Sequence, residues 1–156
     1  MHDDTHLIHQ LLATYCHRVD RGSPEQVAAL FAPEAVLCPR FDGDYEVVGR
    51  EAIRGWYAHY NEHVRAGTRH LKHMIHSTTI EMDGERAATA CYFSCCLIGN
   101  GDDKGCLVYG TYSDMLARQQ GGWLFARRTI DPSGAARAHR RGALSVDGIC
   151  RRPLSG

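Results

Sequence analysis

A chain of 156 residues, 44% apolar and 23% charged, can bury one sizeable core but not two. Its eighteen basic and eighteen acidic side chains cancel, which excludes a global field that would draw it to nucleic acid or to a membrane surface. No run approaches the roughly 18 uninterrupted apolar residues of a spanning helix. The polar start Met1-His2-Asp3-Asp4 lacks the basic-then-apolar order of a secretory leader, so a cytoplasmic location is expected. Seven cysteines (Cys16, Cys38, Cys91, Cys95, Cys96, Cys106 and Cys150) are odd in number, include no CxxC pair and mostly lie inside apolar runs. They read as buried thiols acting as small hydrophobes, not as disulfides or a zinc set.

Residues 5–20 carry Leu7, Ile8, Leu11, Leu12, Tyr15 and Val19 at helical spacing, with Thr5 as the expected N-cap. Ser23 as cap and Pro24 at the first helical position predict a second, short helix from Glu25 to Phe31, closed by Pro33. Strand-like pieces Ala35–Phe41 and Tyr45–Val48 flank the turn signal Asp42-Gly43-Asp44 and predict a hairpin. A third helix is expected from Glu51 to Arg65, with Ile53, Trp56, Tyr57 and Tyr60 on its apolar face. Four strands should follow: His70–Met82, Ala87–Ile98, Cys106–Arg118 and Trp123–Ile130, the last ended by Asp131-Pro132-Ser133-Gly134. Helices first and long antiparallel strands afterwards make an α+β chain. The expected architecture is a curved, mostly antiparallel sheet with three helices from the N-terminal half enclosing a pocket. Residues 1–134 form the domain, and residues 135–156, with five arginines, form its basic C-terminal tail.

The run His70-Leu71-Lys72-His73-Met74-Ile75-His76 holds three histidines. On a regular strand alternate side chains share a face, so His73 should point with Ile75, Ser77 and Thr79, away from His70 and His76. That split argues against a three-histidine metal site. It places His73 among apolar and small residues, as in a cavity lining. A neutral imidazole acts as a base when its second nitrogen is held by a carboxylate, which fixes the tautomer and stabilises the imidazolium. Asp20, at the end of the first helix, is the natural partner. Trp56, Tyr57 and Tyr60 read as core and pocket wall. The chain has no GxGxxG, P-loop, GxSxG or HExxH pattern. No cofactor and no metal are expected.

Five stretches in order resemble the SnoaL-like branch of the nuclear-transport-factor-2-like superfamily. They are Tyr15 to Gly22, Leu30 to Val36, Gly49 to Ile53, Arg69 to His73 before Ile80 to Gly84, and Gly121 to Arg128. The resemblance covers about residues 5 to 130 and implies a cone-shaped α+β barrel. Within that branch the chain is similar to enzymes of elimination chemistry: hexachlorocyclohexane dehydrochlorinase, bile acid 7α-dehydratase and scytalone dehydratase. Matched to them, Asp20 and His73 would form the proton-abstracting dyad. Tyr15 and Arg128 would stabilise charge on a departing oxygen or a developing enolate. Ser77 stands where the family often has Asn. Trp56, Phe31, Ile75 and Ser77 are expected to contact substrate.

The activity implied is a cofactor-independent lyase, a dehydratase or dehydrohalogenase. Its substrate would be a small hydrophobic, hydroxylated or halogenated ring compound such as a steroid or polyketide. An isomerase or cyclase would use the same proton abstraction. A non-catalytic small-molecule binding domain and the β subunit of a ring-hydroxylating dioxygenase share the fold. A homotrimer is expected, a dimer second, with Met74, Cys96 and Met115 on the sheet face to be covered.

Overall fold

The apolar stripe of the first segment winds into helix α1, Asp4–Arg21, and buries Ile8, Leu11, Leu12, Tyr15, Cys16 and Val19. The computed structural model describes residues 4–41, 43–101, 104–119 and 121–137. Thr5 falls inside the helix and not at its cap. At Gly22 the chain turns where an added Cβ would lie 2.7 Å from the Arg18 carbonyl oxygen, so the tight exit from α1 needs glycine. Helix α2, Pro24–Ala28, opens with the expected cap. The Ser23 hydroxyl accepts from the Gln26 amide at 3.2 Å, and the Ser23 amide donates back to the Gln26 side chain at 2.9 Å.

That helix is shorter than the sequence predicts. Phe31 and Pro33 belong to strand β1, Phe31–Pro39, which pairs antiparallel with the two-residue strand β2, Val47–Val48. The predicted hairpin exists, but most of its second arm is loop, and Tyr45 lies in it. Helix α3, Arg50–His63, follows Gly49, whose φ of 92° suits glycine. A 3₁₀ turn, Arg65–Gly67, then leads into the sheet.

Strands β3 (Thr68–Asp83), β4 (Arg86–Gly99), β5 (Gly105–Gln119) and β6 (Gly122–Arg137) form an antiparallel run. The whole sheet has the order β2-β1-β6-β5-β4-β3, closed by a parallel β1–β6 pairing. Irregularities in register interrupt three of these ladders. Bulges of this kind raise local twist and bend a strand, and they curve the sheet around α1. The core lies on the concave side, where α1, α3 and the sheet meet around Tyr15, Phe31, Ile53, Tyr57, Tyr112 and Phe125.

The last strand is longer than the expected Trp123–Ile130. β6 runs through Asp131-Pro132-Ser133-Gly134 to Arg137, opposite Cys106. Residues 135–137 of the expected tail are therefore strand, and the remainder of the tail lies outside the described residues. Proline is tolerated because β1 ends at Pro39, opposite Ile130, so no ladder on that side needs the Pro132 amide. The six described cysteines, Cys16 to Cys106, are free thiols, and Cys16, Cys38, Cys91 and Cys95 are buried. Cys150 lies outside the described residues. Among the described residues no helix is long and apolar enough to cross a membrane.

Candidate active site

Asp20 sits on the last turn of α1, which is tied down from the far side by Arg65. The Arg65 guanidinium donates to the carbonyls of Val19 at 3.2 Å and Gly22 at 2.8 Å. A cation at a helix C-terminus answers the unpaired carbonyls and the helix dipole together. So anchored, the Asp20 carboxylate meets β3. It accepts from the His73 backbone amide at 3.1 and 3.2 Å, and its Oδ1 lies 2.6 Å from His73 Nδ1. Both side chains are only 10% exposed.

A carboxylate accepts and does not donate, so Nδ1 carries the ring hydrogen. The Nε2 lone pair is left without a partner among the described residues, on a residue that lines the interior cavity. The sequence-predicted pair is thus brought together, with the geometry a general base needs.

The cavity is about 410 Å³ and its walls are mostly rings. Trp56, Tyr57 and Tyr60 come from α3, Tyr15 from α1, Phe93 from β4 and Tyr112 from β5. Trp56 stacks on Tyr60 with centroids 5.8 Å apart, and its indole N–H donates to the Tyr45 hydroxyl at 3.1 Å. Phe93 stacks on Tyr112 at 4.3 Å. The Tyr15 and Tyr57 hydroxyls lie 2.7 Å apart. Burial pushes the Tyr15 phenol up to about 12 against the opposing pull of Arg128, and raises Tyr57 well above its ordinary range. Both therefore stay protonated at neutral pH, as hydrogen-bond donors. Trp56 and Tyr15 are where the sequence places them. Tyr57 was assigned only to core and wall, because nothing in one sequence pairs its hydroxyl with a residue 42 positions away.

Besides Ile75, which lines an open cleft outside this cavity, three expected residues lie elsewhere. Phe31 has no exposed surface and packs behind the wall against Tyr15, Tyr57 and Phe125. Ser77 is exposed because β3 is not a regular strand. It carries one extra residue between Arg69 and Lys72 and another between His76 and Thr79, with φ of 58° at His70 and 51° at Ser77. The second bulge flips the alternation. The inward set is His73, Ile75, Thr78 and Ile80, and Thr79 faces out. Ile75 and Thr78 line a second, open cleft of about 540 Å³ between α1 and β3, which reaches His73 from outside. The aromatic cavity is the better candidate for substrate, since it is more enclosed and apolar and holds the tyrosine pair as well as His73.

Arg128 is the third. It is fully buried on β6 and forms a two-pronged ion pair with Asp114 of β5, at 2.8 and 3.0 Å. Thr89 donates to the same carboxylate at 3.1 Å. The guanidinium carbon lies 3.9, 4.2 and 4.3 Å from the ring centroids of Tyr15, Tyr112 and Phe125. It does not line the cavity. Burial is the largest influence and opposes its charge, but Asp114 together with Tyr15 and Tyr112 outweighs it and raises the Arg128 pKa. Asp114 itself was no part of the sequence reading. Among the described residues no cluster of three or more His, Cys, Asp or Glu side chains could hold a metal.

Solved structures with the same architecture are numerous. A protein from Novosphingobium aromaticivorans provisionally described as an aromatic ring hydroxylase superposes with TM-score 0.72. It is 24% identical over 86% of this chain and 93% of its own. A second protein from that organism, provisionally described as a scytalone dehydratase, gives TM-score 0.74 at 20% identity, over 88% and 89% of the two chains. A hexachlorocyclohexane dehydrochlorinase gives 0.71 at 14% identity, over 86% and 88%. No curated protein matches the chain in sequence. At these identities the likeness shows the fold alone. The family is shown by a model of the SnoaL-like domain that matches residues 2–129, nearly the whole of the helices and curved sheet described above. The chain belongs to the SnoaL-like domain family.

Proposed function

We propose that the protein is a cofactor-independent lyase of the dehydratase or dehydrohalogenase type, with His73 as its general base. The observation that carries this reading is the 2.6 Å contact between Asp20 and His73 Nδ1, on a residue that lines the aromatic cavity and whose Nε2 the dyad leaves free. In the reaction Nε2 takes a proton from a ring carbon, and the C–H electron pair becomes the new double bond. The leaving oxygen or halide departs with its bonding pair from the adjacent carbon. Asp20 keeps its hydrogen bond to Nδ1–H throughout and stabilises the imidazolium. The tyrosine pair donates to the developing negative charge on the departing or carbonyl oxygen. A neutral, flat, ring-bearing substrate fits walls built from Trp56, Tyr60, Phe93 and Tyr112.

Replacing His73 by Ala should lower elimination from a hydroxylated or halogenated ring substrate by about 10²–10⁴-fold, with ligand binding largely kept. Release of water or halide into solution, followed against the unreplaced enzyme, measures this. Full activity in His73→Ala would rule the dyad out.

The assembly we propose is a homotrimer, with a dimer second. The convex face of β3 to β5 leaves Tyr92 62% exposed, with Tyr109, Met115 and Met74 also bare. An apolar sheet face of this kind favours a partner. Sedimentation equilibrium decides it, a monomer at micromolar concentration being the contrary result.

A further inference from the structure

The tyrosine pair has a direction. Two hydroxyls 2.7 Å apart share one hydrogen bond, so one donates to the other and the acceptor keeps a hydrogen free for a ligand. The two rings sit in different fields. Arg128 lies 3.9 Å from the Tyr15 ring centroid and also against Tyr112 and Phe125, whereas Tyr57 is not among the rings it covers. A fixed cation against a phenol favours negative charge on its oxygen and makes it the stronger donor.

We propose that Arg128 orients the pair, so that Tyr15 donates to Tyr57 and the Tyr57 hydroxyl hydrogen is the one offered to the substrate oxygen. Tyr57 is then the catalytic hydroxyl, while Tyr15 and Arg128 are positioning residues that act through it. This deepens the proposed function and rests on the aromatic cavity being the substrate site.

Several features support the assignment. Arg128 is held rigidly by Asp114, itself braced by Thr89, so its charge cannot swing away. Its Nη1 is buried with no hydrogen-bond partner, so part of its charge is answered only by the rings it touches. Chained donors polarise one another in a low-dielectric site, so a Tyr15–Tyr57–ligand chain donates more strongly than a lone phenol. The titratable groups facing Tyr15 are Arg128 of β6, Asp114 and Tyr112 of β5, Tyr57 and Tyr60 of α3, and Cys16 of its own helix. Of these only Arg128 favours ionisation of Tyr15 by its charge. Arg128 acts on Tyr57 in the same direction, but there burial and Tyr15 weigh more than Arg128 does.

The test needs no substrate. 3-Fluorotyrosine is placed at position 15 or 57 and titrated by ¹⁹F NMR, in the otherwise unaltered chain and in R128M/D114L. Arg128→Met with Asp114→Leu swaps the ion pair for apolar side chains without stranding a charge. The expected result is that position 15 ionises at lower pH than position 57. In R128M/D114L the position 15 midpoint should rise by about one unit or more, with position 57 moving less. Position 57 ionising first in the unaltered chain overturns the proposal, whether or not R128M/D114L folds. So does a position 15 midpoint that ignores R128M/D114L in a folded protein. An inactive cavity would defeat the lyase reading while leaving this titration order intact, so the two failures are distinct.

Discussion

Asp20 and Asp114 each hold a basic side chain largely shielded from solvent, and the molecule uses the two pairs differently. Asp20 and His73 join α1 to the edge strand β3, and Asp114 and Arg128 join two central strands. The first pair keeps 10% exposure and includes a residue that lines the cavity, whereas the second has no exposure. An arginine stays charged in either setting, but a histidine can take and return a proton. On the proposed function, the dyad is the pair that would turn over. The sealed pair can only supply a fixed field, and it supplies it to the rings that line the same cavity.

The comparison breaks most visibly in stability. Asp114→Ala leaves the Arg128 charge buried and alone, and should cost about 3–5 kcal/mol in urea unfolding. Asp20→Asn should cost far less, about 1–2 kcal/mol, because the dyad lies beside a cavity that water can enter. If the two costs are equal, the distinction between a working pair and a sealed one is lost.

A middle-sized effect sharpens the geometry of the cavity wall that the two pairs share. Gly110 lies on β5 where an added Cβ would meet the Asp131 carbonyl oxygen at 2.2 Å and the Phe93 ring at 2.8 Å. Gly110→Ala should cost about 1–3 kcal/mol by overpacking and tilt Phe93 at the cavity wall. Calorimetry gives the first, and near-ultraviolet circular dichroism the second.

The smallest expected effect concerns alkali. Burial pushes Cys16 and Cys95 up to about 12 and Cys91 to about 11, against an ordinary value of 9.0. Their folded pKa values are raised, so the stability linked to them is fully present below pH 9 and is lost as pH climbs from there toward 12. Cys95 lies directly across from His73, so it also tests whether the dyad activates a neighbour. It should resist iodoacetamide at pH 8 in the folded protein, and rapid alkylation there would show a thiolate that the dyad creates.

Much of the dyad was legible in sequence because each half depends on local pattern. Asp20 ends a clean apolar helix, and His73 sits on a strand whose first inward residues keep period two. The Ser23 cap with Pro24 behind it was legible for the same reason, though the return contact from Gln26 was not read. Ser77 was misplaced because a bulge is settled by the partner strand, and one extra residue moves every later side chain to the other face. Phe31 was assigned to a helix because its strand identity comes from a parallel partner 94 positions on, at Phe125. Arg128 has the right neighbours only once β5 supplies Asp114. Alternation along β6 does not reveal that an inward arginine is neutralised from the next strand.

The parallel join of β1 to β6 also bears on how the chain folds. Phe31 pairs with Phe125, and the Phe125 amide donates to the Leu30 carbonyl at 2.9 Å. During synthesis that contact must wait until nearly the whole domain has left the ribosome. Such distant pairings are slow to form, since a long loop is closed before any contact rewards it. The floor of the cavity, where Tyr15 rests on Phe31 and Phe125, is thus among the last parts to be completed. A truncated or stalled chain has the helix that bears Asp20 but no finished pocket, so the cavity and the complete fold arrive together.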